Sequence, residues 1–394
     1  MKKLFVVLLV LALLYFVGYK LGWIGKQEPE KPPAGTTTIK PPVKPTDGIT
    51  LYEKAKYAKA VRQLEKEILS GRVKDIPLHL TYVARAHQEL KNQDKANEAW
   101  QKILSEHTES SYCGDAYYAL GKSATDPAKR VEYFEKAVTD HQNSAGAKAA
   151  SCELGETYLT SNLPNKEFKA RKCLTLALKS DIPEEKKQEI KAKMTQLNQK
   201  LVFSKMPTPD SKIYVVQSGD SIATISQKFG IEAGGDIAKG QIRRINKLKT
   251  DWIYPDNKLK VLTGKFRIEI NKTKFILTLY LNDAWIKEYP VATGKVDCET
   301  PTGLFHVGGK VAHPPWTVRY DDGKSEIIPY GDPRNILGTR WMGFKESPRL
   351  GIHGTTLPES IGQKITDGCV RMINDDVNEL YDIIPMNTEI FVFE

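Results

Sequence analysis

The sequence predicts a multidomain chain: an N-terminal transmembrane helix, an all-α helical repeat region, a small β-α-α-β module and a mostly β C-terminal domain. Three observations carry this. The 394 residues exceed what one ordinary hydrophobic core organises, so two to four domains are expected. The hydrophobic pattern is helical over the first part of the folded chain and turns to short strands broken by Gly and Pro in the last third. Ahead of both stands a charge-free run next to two lysines.

That run begins after Lys2 and Lys3, extends from Leu4 to Tyr19, and continues past Lys20 to Ile24. It is long enough to span a bilayer if Lys20 snorkels to the interface. The leading lysines predict a cytoplasmic N-terminus and an exported remainder, in the periplasm or cell wall. No good small-x-small cleavage site follows, so residues 1–25 are expected to stay as an anchor rather than leave as a signal peptide. Residues 26–50 are rich in Pro, Thr and Lys. They read as a semi-rigid spacer or as a plain disordered tail, since neither needs a core.

The net charge of +10 sits ahead of the C-terminal portion, where acidic groups slightly outnumber basic ones. The basic part suits an anionic wall or membrane surface. Nucleic acid is not expected, because no nucleic-acid motif is present. Five cysteines, an odd number, leave at least one thiol free. The absence of CxxC, HExxH and HxH spacings argues against zinc, and no metal or other cofactor is expected.

Residues 51–205 are rich in Ala, Leu, Lys and Glu at helical spacing and repeat internally. Ala86, Gly121 and Gly155 align at offsets of 35 and 34, and Trp100 and Phe134 keep the 34 spacing. A period near 34 with a small residue at the helix crossing resembles tetratricopeptide repeats, although the usual unit-end Pro is missing. The resemblance implies a solenoid that binds a protein partner or acts as a spacer. Cys113, Cys152 and Cys173 lie here and serve packing or one disulfide.

Residues 211–264 read strand, helix, helix, strand. Ile213–Gln217 form the first strand, Asp220 or Ser221 caps the next helix, and Ile237, Ile242 and Ile245 mark the second. Trp252-Ile253-Tyr254-Pro255-Asp256-Asn257 turns into Lys258–Leu262. This order, with Val-Val-Gln-Ser-Gly-Asp-Ser, resembles a LysM domain. Asp256 departs from it by standing where the family usually has Gly, and Glu232–Gly235 look inserted. The resemblance implies binding of N-acetylglucosamine-containing glycan and nominates Gly219, Asp220, Ser221, Ile253 and Tyr254.

Residues 265–394 begin with a hairpin, Phe266–Ile270 and Phe275–Leu281, and a third strand, Trp285–Val291. A single late helix is expected to start at a capping Asn374 and to bury Val377, Leu380, Tyr381 and Ile384. Between them, His353 and Cys369 lie sixteen positions apart, each next to a glycine. A thiol with an adjacent imidazole is a nucleophile and base, and the His is expected to lower the Cys pKa enough to supply thiolate near neutral pH. The series Ala292-Thr293-Gly294, Thr300-Pro301-Thr302-Gly303, Asn335–Trp341, Gly351-Ile352-His353-Gly354-Thr355 and Gly368-Cys369-Val370-Arg371-Met372 resembles the L,D-transpeptidase (YkuD-type) catalytic domain. The resemblance implies that Cys369 attacks peptidoglycan peptide stems and His353 moves the proton. The Gly354 carbonyl would orient the imidazole, and N–H groups around Gly368 and Cys369 would form an oxyanion hole. Arg371 supports the loop, holds a substrate carboxylate or makes a structural salt bridge. Arg340, Trp341 and Thr355 are further substrate-side candidates, with Arg340 and Trp341 reading more as structural. Many family members have His where this chain has Asp367. That Asp either faces the incoming acceptor's ammonium group or simply faces solvent. A carboxypeptidase of the same fold and a non-catalytic wall-binding scaffold are the alternative readings.

Overall fold

The computed structural model describes residues 46–162, 165–232, 239–320 and 323–394, with backbone only at 231 and 232. The expected anchor at 1–25 lies outside these residues, as do Ile237 and most of the Glu232–Gly235 insertion. Among the described residues no helix is long and apolar enough to cross a membrane.

Among the described residues nine helices come first: α1 (Asp47–Glu53), α2 (Tyr57–Leu69), α3 (Ile76–Glu89), α4 (Gln93–Glu106), α5 (Cys113–Ser123), α6 (Pro127–Asp140), α7 (Ala145–Thr160), α8 (Lys166–Leu178) and α9 (Glu184–Leu201). The start of α1 corrects the expected linker, which was to run to residue 50. Ile49 is buried and Gly48 packs on Leu64, so the chain is already folding into the helical core there. Local signals set the helix starts. Asp75 and Asp126 accept from the backbone N–H of Leu78 and Ala128, each beside a Pro in the first turn, and Ser144 Oγ accepts from Ala147. The small residues at 121 and 155 are each set by a close helix contact. A Cβ on Gly121 would lie 2.5 Å from the Phe134 ring, and one on Gly155 would lie 2.7 Å from Leu174.

The last two helices join the C-terminal domain. Leu174, Ile190, Met194, Leu197 and Leu201 share one core with Ile268, Leu279, Leu281 and Trp285. Asn198 Nδ2 donates to the carbonyls of Trp285 and Ile286 at 3.0 and 2.9 Å, and the Trp285 N–H donates to Thr175 Oγ1. A buried Arg171–Asp210 ion pair (2.9 Å) closes the junction. Beside it, Lys260 Nζ donates to the Leu201 carbonyl.

The middle module pairs β1 (Ser211–Val215) antiparallel with β2 (Lys258–Leu262), with α10 (Ile222–Glu232) and α11 (Lys239–Ile245) between them. Ile222, Ile225, Phe229, Ile242 and Val261 form its core. Gly240 lets α11 dock on the C-terminal helix, α12 (Asn374–Ile383), since a Cβ there would lie 2.7 Å from the Asp382 Cα. Arg244 pairs with Asp382 at 3.1 Å across the same contact.

The C-terminal domain is an eight-stranded sheet. Its strands are β3 (Phe266–Asn271), β4 (Ile276–Leu281), β5 (Ala284–Pro290), β7 (Gly303–Ala312), β10 (Arg340–Phe344), β11 (Gly351–His353), β13 (Val370–Arg371) and β14 (Glu389–Phe393), in the order β13-β11-β10-β7-β14-β3-β4-β5. Short pairs β6 (Thr293–Gly294) with β12 (Lys364–Thr366) and β8 (Trp316–Arg319) with β9 (Ser325–Ile328) flank it. The expected hairpin is β3–β4, in register from Phe266↔Leu281 to Asn271↔Ile276. Ala292, two residues past β5, exchanges both backbone hydrogen bonds with Arg371 of β13. The two ends of the sheet therefore meet, and the loop that carries Cys369 lies on that seam.

Asn374 is not the helix cap the sequence suggests. Residue 373 holds the cap position with no side-chain cap bond, and the Asn374 amide turns toward the loops before β10 and after β11. All five cysteines are free, so no disulfide joins Cys113, Cys152 or Cys173.

Candidate active site

Parallel pairing of β11 with β13 aligns Ile352 with Val370 and His353 with Arg371, which brings Cys369 alongside the strand that carries the histidine. His353 is buried (3% exposed). Its Nδ1 donates to the Gly354 carbonyl at 2.6 Å, leaving Nε2 as the basic nitrogen, and Trp341 on β10 stacks over the ring at 5.8 Å and 21°. Gly368 has φ +97, a conformation that favours glycine, and Thr366 Oγ1 donates to the Cys369 carbonyl at 2.5 Å. These fix the turn that presents the thiol.

The electrostatics correct one expectation. Burial pushes the Cys369 thiol up to about 11; a Gly351 hydrogen bond and Arg371 pull it down, and Asp367 adds to the rise. Burial takes His353 down to about 4, with Arg371 acting the same way against hydrogen bonds to the Gly354 and Leu337 carbonyls. The resting site holds a neutral thiol and a neutral imidazole, not a preformed thiolate, because low-dielectric burial disfavours both charged forms. One consequence concerns stability. His353 takes up a proton in the unfolded chain below its usual pKa of 6.5 but in the folded chain only near 4, so stability rises with pH across that window and falls on acidification through it. A denaturant titration series from pH 7 to pH 4 should show up to about 3 kcal/mol lost, and His353→Gln should flatten that part of the curve.

Arg371 is 6% exposed, donates to Ser360 Oγ at 3.1 Å, and its Nε has no partner. Among the described residues no carboxylate lies within ion-pair distance of it, which removes the structural salt bridge from its expected roles. Arg340 lies over the Tyr381 ring and donates to the Thr339 carbonyl. Thr355 is buried, its hydroxyl accepting from the Leu357 N–H. Asp367 is exposed and pairs with Lys295 Nζ at 2.7 Å. Among the described residues no cluster of His, Cys, Asp and Glu could hold a metal ion.

Sequence reasoning missed Asn374. Its Oδ1 accepts from the N–H groups of Thr339 and Thr355, and its Nδ2 donates to the Thr355 carbonyl at 2.8 Å. A Cβ on Gly338 or Gly354 would each lie 2.3 Å from that Oδ1, so the glycines of both motifs make room for one amide. Its position at the head of an amphipathic helix hid this role.

In the middle module Ser221, not Asp220, caps α10, through Thr224 N. Asp220 closes the preceding turn by accepting from Gln217 N and Tyr214 OH, and Gly219 there has φ +89. The loop with Ile253 and Tyr254 is laced to it by Asp256 N to Val216 O and Val216 N to Asn257 O. Asp256 has φ +66, and a short polar side chain tolerates this left-handed position, which accounts for the departure from Gly. Trp252 (80% exposed) and Tyr254 (68%) stand out from this loop; Trp252 was not singled out because a lone aromatic before a turn reads as core.

Comparison with known proteins agrees with this geometry. Family models match an L,D-transpeptidase catalytic domain (YkuD) over residues 265–392 and a LysM domain over residues 214–262. YqjB of Bacillus subtilis, which carries the L,D-transpeptidase name, is 36% identical over 135 residues, 33% of this chain and 73% of its own length. YkuD of the same organism is 29% identical over 179 residues, covering 45% and 97%. The solved catalytic domain of the E. faecium L,D-transpeptidase is 23% identical, covering 33% of this chain and 98% of that domain, with a TM-score of 0.28. The chain belongs to the YkuD-type L,D-transpeptidase family and carries a LysM domain ahead of its catalytic domain.

Proposed function

We propose that the protein is an exported peptidoglycan L,D-transpeptidase that works through a thioester on Cys369, in cell-wall cross-linking or remodelling. The observation that supports this is the pairing of β11, which carries His353 oriented by the Gly354 carbonyl, with β13, which Cys369 directly precedes. As the sulfur attacks the carbonyl of the third stem residue, His353 Nε2 takes the thiol proton. The tetrahedral oxyanion is held by N–H groups around Gly368 and Cys369. Collapse passes that proton to the departing terminal D-amino acid and leaves the thioester. An acceptor amine then attacks, loses a proton to His353, and the proton returns to sulfur. Arg371, with an unpaired Nε and no carboxylate partner among the described residues, is suited to a stem carboxylate.

The LysM domain would hold the enzyme on glycan through Gly219, Asp220, Ser221, Ile253, Tyr254 and Trp252, raising the local concentration of stems. Incubating the full chain with a defined tetrapeptide stem and an acceptor stem, with mass spectrometry of products, tests the reading. Cross-linked product with loss of one D-amino acid is expected; free tripeptide alone would make it a carboxypeptidase, and no product a scaffold.

Asp367 has a place in the second half-reaction. Its exposed carboxylate, shared with Lys295, is available to an acceptor ammonium. Asp367→Asn should raise the acceptor KM by about 3- to 10-fold with the donor half-reaction unchanged, the scale of one partly screened charge. Cross-linking that is unaltered at every acceptor concentration would remove that role.

A further inference from the structure

A cavity of about 770 Å³ lies between the helical region and the β4–β5 turn, far from Cys369. Leu154 and Tyr158 of α7 and Leu176 of α8 give it an apolar lining, and Asn282–Ala284 of the catalytic domain close one end. Its carboxylates are already engaged. Glu132 pairs with Lys136 at 2.9 Å, Glu135 accepts from the Tyr158 hydroxyl and lies 3.8 Å from Lys169, and Asp283 pairs with Arg267 at 3.1 Å. Lys172 and Lys179 also line the cavity, and among the described residues neither has a carboxylate within ion-pair distance. They sit over the Phe168 and Tyr280 rings.

We propose that this cavity binds an extended acidic segment of a protein partner, with two carboxylates flanking an apolar residue. Lys172, Leu176 and Lys179 follow i, i+4, i+7 spacing, so they share one face of α8 and its last turn. Seven residues of helix rise about 10 Å, and three residues of polyproline-II chain cover about 9 Å and return to the same side. Two acidic side chains three positions apart therefore meet the two ammonium groups, and an apolar side chain between them turns toward Leu154 and Tyr158. The engaged carboxylates leave the lining with a surplus of positive charge, which selects an anionic ligand over a neutral one. The cavity lies at the start of β5, and the seam with Arg371 lies past its end, up to about 26 Å of extended chain away. None of the residues lining the cavity belongs to the site around Cys369.

The test is fluorescence polarisation of the full chain with a labelled, end-blocked peptide Glu-Ala-Leu-Glu and its Gln-Ala-Leu-Gln counterpart. The acidic peptide should bind, the neutral one at least about tenfold more weakly, and raising NaCl from about 50 to 500 mM should abolish the difference by screening. K172E/K179E should lose at least about tenfold in affinity while K172R/K179R retains it, because Arg keeps the charge. Should the reversed pair fail to fold by thermal melting, K172Q/K179Q is measured instead, with loss of affinity expected again. Equal binding of both peptides, undiminished binding by the charge-changed variants, or no binding of the acidic peptide would overturn the proposal. So would binding confined to a peptidoglycan stem fragment.

Discussion

His353→Gln should turn a flat pH–rate profile into a steep one. In the parent protein the thiol is neutral to about pH 11 and the imidazole is neutral above about pH 4. Acylation then depends on proton transfer from sulfur to a base that is ready across the whole physiological range, so the rate should be level from about pH 5 to pH 9. With glutamine at 353 only the ionised thiol fraction reacts, and that fraction grows about tenfold per pH unit below the thiol pKa. At neutral pH the variant should be slower by about 10²- to 10⁴-fold, the range of a positioned general base. The gap should narrow steadily toward pH 11. Acylation by a thiol-reactive β-lactam, followed as mass added at Cys369, reads this without an acceptor. A parent rate that itself climbs tenfold per unit would show that imidazole takes no proton. A level profile in the variant would show a preformed thiolate. Cys369→Ala should abolish the adduct at every pH.

The features legible in the sequence are those that adjacent residues determine. Asp75 and Asp126 mark helix starts because the cap, the Pro and the first N–H groups lie within four positions. The β3–β4 hairpin is legible because alternation places Phe266, Ile268 and Ile270 on the buried face. The small residues at 121 and 155 are legible because they recur 34 positions apart; their partners, Phe134 and Leu174, are not, because they lie at unequal offsets. The site's residues were found as an ordered series of motifs, but not the physics that acts between them. Burial of His353 and half-burial of Cys369 are properties of the closed sheet, and closure rests on Ala292 meeting Arg371 across 79 residues of chain. No local pattern announces that pairing. The thiol's raised pKa follows from it, contrary to what a bare Cys and His suggest.

The same limit explains the junctions between modules. Asn198 sits in a helix rich in Lys, Gln and Glu, where an amide reads as solvated; in the fold it satisfies two β5-strand carbonyls. Arg171 reads as one more basic group of the repeat region, yet it is buried against Asp210 of the following segment. Helices, LysM domain and catalytic sheet meet through a shared hydrophobic core and through buried polar contacts whose partners lie far along the chain. The LysM domain is fixed against the catalytic domain where α11 docks on α12.

Asn374→Ala should be the most damaging substitution outside the reacting pair. The amide serves three backbone groups on the two loops that flank His353: the N–H groups of Thr339 and Thr355 and the Thr355 carbonyl. Alanine leaves them without that partner in a half-buried position, which should cost about 2–4 kcal/mol and lower Tm by several degrees. The loss reaches the chemistry because Gly354, whose carbonyl holds the imidazole, is packed directly on the Asn374 Oδ1. A shift of that loop by about 1 Å should lower kcat about 10²-fold with little change in KM, since orientation of the base is what changes. Gly354→Ala provides the discriminating partner. In the parent its new Cβ would meet Asn374 Oδ1 at 2.3 Å, so it should be severe alone. With Asn374 already cut to Ala that collision is gone, and the remaining neighbours, Thr339 N at 3.1 Å and Gly338 Cα at 3.3 Å, are only tight contacts. The double variant should therefore be more stable than the sum of the single losses predicts, by about 1–2 kcal/mol. Strict additivity would mean that the amide and the glycine support the loop independently, and that Asn374 acts on His353 by some route other than this contact.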